Sequence, residues 1–184
     1  GLRAQRFFKR HAGVVQALAV HPDGERVASS EAFGDGGGKV HVWSASSLAV
    51  LATVVSRAGP VNLLAFSQRT GSKLLVVSNG VAHHPVSLWD WKNQVLLAEE
   101  GGDEMLQHTV LDAHFWPKGA GGGGKDADAC FVTAGVEHLR FWTLRGSTLT
   151  NRRAVLPQSL VEPPTTFVCV ACLEHELTVT GCEP

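Results

Sequence analysis

The chain has 184 residues, 44% of them hydrophobic and 18% charged, with 16 basic residues against 17 acidic ones and a formal net charge of −1. That size and composition fit one globular domain with a real core, not a disordered chain. A balanced charge excludes an overall field for nucleic acid or an anionic membrane, and no apolar run reaches the roughly 18–20 residues that span a bilayer.

The chain opens at Gly1 with no signal-peptide pattern, as expected of a processed or excised piece of a longer protein. Arg3, Arg6, Lys9, Arg10 and His11 form a basic cluster that reads as a solvated segment. Leu2 to Lys9 is expected to supply the outermost strand of a preceding unit. The first complete unit then reads as four strands: Val14–His21, Arg26–Ser30, Lys39–Trp43 and Leu48–Val55. Pro22-Asp23-Gly24 turns the first into the second, because Pro fixes φ and Gly accepts a positive φ. The glycine-rich stretch Phe33 to Gly38 joins the second to the third.

The order repeats. Val61–Phe66, Lys73–Ser78, Val86–Asp90 and Gln94–Glu99 form a second unit. Thr109–Phe115, Ala129–Thr133, His138–Thr143 and a weak strand near Thr148 form a third, its inner turn swollen by the insertion Lys118 to Asp126. A fourth begins with Thr166–Leu173 and Glu176–Thr180 and stops before its Trp. Trp43, Trp89 and Trp142 close the three third strands, 23, 23 and 27 positions after Val20, Phe66 and Phe115. The strands are apolar at nearly every position, so each unit buries both faces only when another stacks on it. Four-stranded antiparallel units of about 40 to 50 residues with a recurrent Trp are blades of a β-propeller. The fold class is therefore all-β, a β-propeller fragment of about three and a half blades. The blades fall at about 10–55, 60–99 and 108–150, with an incomplete one at 166–184. Since a ring needs four to eight blades, the chain is expected to be part of a longer protein.

His21-Pro22-Asp23-Gly24 and Leu88-Trp89-Asp90 resemble the phrases of WD repeats. Three further features narrow the resemblance: Val40-His41-Val42-Trp43-Ser44 after a loop containing Asp35-Gly36, the second Trp of Ser87-Leu88-Trp89-Asp90-Trp91, and the run Phe141-Trp142 to Thr150 with its Gly-x-x-Leu-Thr turn. In order, across about Arg10 to Gly181, they are similar to the echinoderm microtubule-associated protein-like family. The resemblance implies an atypical WD-type propeller, binding of tubulin or microtubules, a cytoplasmic and cytoskeletal location, and no catalysis. Only Trp89 is followed by Asp, namely Asp90, and the usual Gly-His dipeptide is replaced by His11-Ala12-Gly13.

The three Trp residues are expected in the core, with His11 and Ser29 or Ser30 joining Trp43 in a stabilising relay. Trp91, just past a strand end, is expected at the surface. The loops Glu31–Lys39, Asn79–Pro85 and Val136–His138 join second strands to third strands. They are the candidate protein-contact loops, which puts Asp35, Lys39, His83, His84, Glu137 and His138 forward as contact residues. Cys169-Val170-Ala171-Cys172 has the CxxC form but lacks the second pair a zinc finger needs, and it reads as a buried strand. His83-His84 lacks a third ligand at suitable spacing. No nucleophile motif supports an enzyme. The expectation is thus a non-catalytic interaction module with no metal, no cofactor, no small-molecule substrate and no nucleic-acid or membrane partner. A general WD-repeat scaffold for another protein complex is the alternative.

Overall fold

The computed structural model describes residues 5–32, 37–56, 59–78, 85–100, 109–117, 129–155, 166–173 and 178–183. Within them the first blade is β1 (Val15–Val20), β2 (Arg26–Ala32), β3 (Gly38–Ser44) and β4 (Val50–Ser56). The second is β5 (Val61–Phe66), β6 (Lys73–Ser78), β7 (Val86–Asp90) and β8 (Val95–Glu100). The third is β9 (Val110–Phe115), β10 (Cys130–Gly135), β11 (His138–Arg145) and β12 (Thr148–Arg153). β13 (Thr166–Cys172) and β14 (Thr178–Glu183) form a two-stranded sheet. Neighbours pair antiparallel in chain order within each sheet. The fold is therefore a partial β-propeller.

Two strand positions explain why these sequences fold this way. The second strands β2, β6 and β10 are buried along almost their whole length, on both faces. Leu74-Leu75-Val76-Val77 and Phe131-Val132 can run apolar without alternation because a sheet lies on either side. The outer strands β8 and β12 are more exposed, and β12 is mostly polar.

Successive blades pack through their first strands, β1 against β5, β5 against β9 and β9 against β13. Three apolar clusters fill the gaps. Val40, Val42, Val54, Val61 and Phe66 meet between the first and second blades. Leu75, Leu88, Phe115, Phe131 and Trp142 meet between the second and third. Trp116, Val132, Phe167 and Val170 meet between the third and fourth. Gly38 lies so close to the next blade that an added Cβ would meet Val61 Cγ2 at 2.5 Å.

Polar bonds set the register of the stack. Ser30 Oγ donates to the Val61 carbonyl at 2.9 Å, and Ser56 and Ser78 share a buried hydroxyl pair at 2.8 Å. Between the third and fourth blades the Val170 amide donates to Asp112 Oδ2 at 2.8 Å.

Trp91 departs from the surface position expected of it. It is buried, it donates its indole N–H to the Gly71 carbonyl at 2.6 Å, and its ring meets His21 and Phe66 edge-on. His21 wedges between the first and second blades, where a Cβ at Gly71 would strike its ring. The segment before β1 also differs: residues 5–9 form no strand, and Phe8 stacks on Trp43 with centroids 4.4 Å apart.

Replacing Asp112 by Ala removes a charged acceptor from the boundary between blades and should lower the stability of the chain by about 2 kcal/mol in urea denaturation. Asp112→Asn, which keeps a carbonyl oxygen there, should cost less.

Candidate functional site

The Trp anchors occupy three different environments. Trp142 is buried between the second and third blades and stacks on Phe131 at 5.8 Å. Trp89 is half-buried and packs toward the first blade. Trp43 faces the same way on its own sheet, but no described blade stacks there, so Phe8 covers it instead.

Each indole N–H is nevertheless satisfied by a hydroxyl. Trp43 Nε1 donates to Ser29 Oγ at 2.9 Å, Trp89 Nε1 to Ser87 Oγ at 2.9 Å, and Trp142 Nε1 to Thr133 Oγ1 at 2.7 Å. In the first blade the relay continues, since Ser29 Oγ and His11 Nε2 share a 2.6 Å hydrogen bond. In the third blade Thr133 Oγ1 shares a 2.6 Å bond with His138 Nε2. In the second, Ser87 Oγ donates onward to the Val76 carbonyl at 3.2 Å. These chains satisfy buried donors, and none of the three holds a strong nucleophile.

The expected contact residues separate under this geometry. Glu137 is exposed at the β10–β11 turn, with φ of 48°. Lys39, at the start of β3, keeps its side chain partly exposed and lies 3.8 Å from Glu31 Oε1. His138 departs from its expected place on a contact loop. It is 1% exposed and belongs to the Thr133–Trp142 relay, because the first position of β11 points between sheets. Asp90 shapes a turn, its carboxylate accepting the Asn93 backbone and side-chain N–H groups at 3.1 and 2.8 Å. Asp35, His83 and His84 lie outside the described residues.

His11 sits where two sequence signals, Gly-His-like placement and a preceding basic run, gave only half its surroundings. Its ring lies beside Glu31, and Glu31 Oε2 accepts the amides of Ala12 at 2.6 Å and Gly13 at 2.9 Å. Burial would raise the Glu31 carboxyl, but those two amides with the His11 and Lys39 charges outweigh it and hold it below the usual range. His41 lies next to this pair, with ring centroids 5.1 Å from His11, and shares a 3.0 Å bond through Nδ1 with Thr53 Oγ1. Glu31, expected at the start of a contact loop, is instead a buried residue of β2, and nothing in the sequence sets His41 and Thr53 beside it, because the three meet only through the β2–β3–β4 register.

The CxxC pair does not form a redox site. Cys169 is exposed and Cys172 is buried, the free thiols lying on opposite faces of β13. Burial pushes the Cys172 thiol up to about 11, the reverse of an activated thiolate.

The echinoderm microtubule-associated protein first β-propeller, as a family, matches residues 4–183. The chain belongs to that family. Human echinoderm microtubule-associated protein-like 1 is 30% identical over 96% of this chain, and the mouse family member 3 is 35% identical over 78%. The chain spans only 21% and 16% of the lengths of those relatives. Among solved structures, that of U3-55K covers 95% of the chain at a TM-score of 0.67 and the Dos1 propeller covers 91% at 0.61, at 15% and 16% identity. The chain matches 47% and 38% of those two, so the shared feature is part of the propeller fold.

In this family member, Thr133→Val strands both the Trp142 N–H and the His138 ring, and should destabilise the chain by about 2 kcal/mol or more. Combining it with Trp142→Phe should cost less than the sum of the two single changes. A double-mutant cycle in urea should therefore return a coupling of roughly 1 kcal/mol or above.

Proposed function

We propose that the chain is a non-catalytic interaction module that binds tubulin or microtubules and contributes to organising the cytoplasmic cytoskeleton. The match of the first-propeller family across residues 4–183 carries this reading. The relatives' names connect them with microtubules, and a rigid stack of sheets suits the presentation of loops to a large protein surface. The contact surface in this proposal is the rim on which second strands turn into third strands. It carries Lys39 and Glu137 among the described residues, and the Asp35 and His83-His84 loops belong to the same connections. Charged side chains there would steer encounter with a charged partner more than they would add to final affinity.

Co-sedimentation of the chain with microtubules, together with pull-down of soluble tubulin at near-physiological salt, tests the reading. The expected outcome is saturable binding to at least one form. The double variant Lys39→Ala, Glu137→Gly should bind severalfold more weakly, with most of the loss at low salt. Glu137→Gly should not unfold the chain, because its φ of 48° suits glycine. No binding in either assay would leave the general WD-repeat scaffold as the better reading.

A further inference from the structure

The face of the first blade that points away from the second is unlike the other sheet faces. By register, Ser29 lies opposite His41, Glu31 opposite Lys39, and His41 opposite Thr53, so β2, β3 and β4 bring polar side chains to one patch. The segment before β1 lays His11 over it. One ligand atom each from His11, Glu31 and His41 all lie within 4.8 Å of one another.

Three observations set this cluster apart from an ordinary polar network. First, His11 Nδ1 is buried without a hydrogen-bond partner on a side chain only 6% exposed, with Glu31 Oε2 at 3.6 Å, beyond hydrogen-bond reach. Second, the other nitrogen of each ring is already held by a hydroxyl, His11 Nε2 by Ser29 and His41 Nδ1 by Thr53. A metal-bound histidine is held in the same way, its second N–H given to a nearby oxygen that fixes the ring. Third, Glu31 is itself oriented by two backbone amides, and Phe8 lies edge-on to both rings at 5.4 and 6.2 Å, an apolar cover over the patch.

We propose that His11, Glu31 and His41 form a binding site for a divalent cation of the zinc class, which ties the segment before β1 to the first blade. Two imidazoles and one carboxylate are a donor set that suits zinc and leave a fourth position for water. Drawing the three atoms from their present spread to the roughly 3.3 Å separation of tetrahedral ligands takes side-chain movement of about 1.5 Å at most. Ser29 Oγ has lone pairs for both the Trp43 and the His11 N–H groups, so the Trp43 relay survives metal binding. Lys39, 3.8 Å from Glu31, has a long side chain already 28% exposed, and it turns outward when the cation arrives.

The test uses the metal-stripped full chain, titrated with Zn²⁺ by calorimetry and with Co²⁺ by visible absorption. The expected result is one ion per chain, with ligand-field bands and no thiolate charge-transfer band, which separates this site from the cysteines. His41→Gln should abolish stoichiometric binding while far-UV circular dichroism stays unchanged. Thr53→Val, which removes the oxygen holding His41, should weaken binding by about tenfold. The double variant His83→Gln, His84→Gln should bind like the parent chain. Absence of a stoichiometric ion in the parent chain, or binding unchanged in both His41→Gln and Thr53→Val, would overturn the proposal and leave an ion-free polar relay.

Discussion

Everything in this chain depends on one sheet face being covered by the next. A four-stranded sheet whose second strand reads Leu74-Leu75-Val76-Val77 has no polar face to offer water, so it is stable only between neighbours. The three inter-blade clusters are the consequence, and two of them take in a third-strand Trp, Trp142 and Trp89. Apolar contact alone would let blades slide. The hydroxyl and carboxylate bonds at Ser30, Ser56–Ser78 and Asp112 are directional and fix one register, since a buried polar group left unpaired costs more than a paired one gains.

The repeat made the architecture legible because it uses residue types that mean the same thing wherever they occur. Unbroken apolar runs mark doubly covered strands, and Pro-Asp-Gly and Gly-rich stretches mark turns. Where the reading failed, the cause lay in contacts between units. Trp91 follows the end of β7 and looks like a turn residue, but the Gly71 carbonyl in the β5–β6 turn accepts its indole N–H. His138 begins a strand beside a positive-φ Glu137, which suggests a loop; the register nonetheless sets it opposite Gly135, and its ring reaches the buried Thr133 hydroxyl. The cluster of His11, Glu31 and His41 carries no linear motif at all. Its members are 20 and 10 positions apart and meet through strand pairing.

The Trp positions show how a constant requirement admits changing solutions. An indole N–H taken out of water must find an acceptor, so a hydroxyl stands beside each of the three. The strand that supplies it is not constant. Ser29 and Thr133 come from second strands, whereas Ser87 comes from the same strand as its Trp. The histidine behind the hydroxyl also moves, from before β1 in the first blade to the start of β11 in the third. A sequence pattern that demands one residue at one spacing will miss such exchanges, because physics constrains the acceptor and not its address.

The face of the first blade that points away from the second shows the same logic among the described residues. Between blades, a face can be apolar because its partner is another broad, flat sheet. Among the described residues, this face of the first blade meets the irregular segment 5–14. Leu18 and Val20 remain exposed there, while the segment concentrates its contacts at one place. It stacks Phe8 on Trp43, donates two amides to Glu31 and sets His11 against Ser29. An irregular segment has no ladder of backbone bonds to hold it, so directional polar contacts must do so, and they need a buried acceptor of high charge. Glu31 fills that role, and its burial leaves a local negative charge that the surrounding imidazoles, Lys39 or a bound cation must balance.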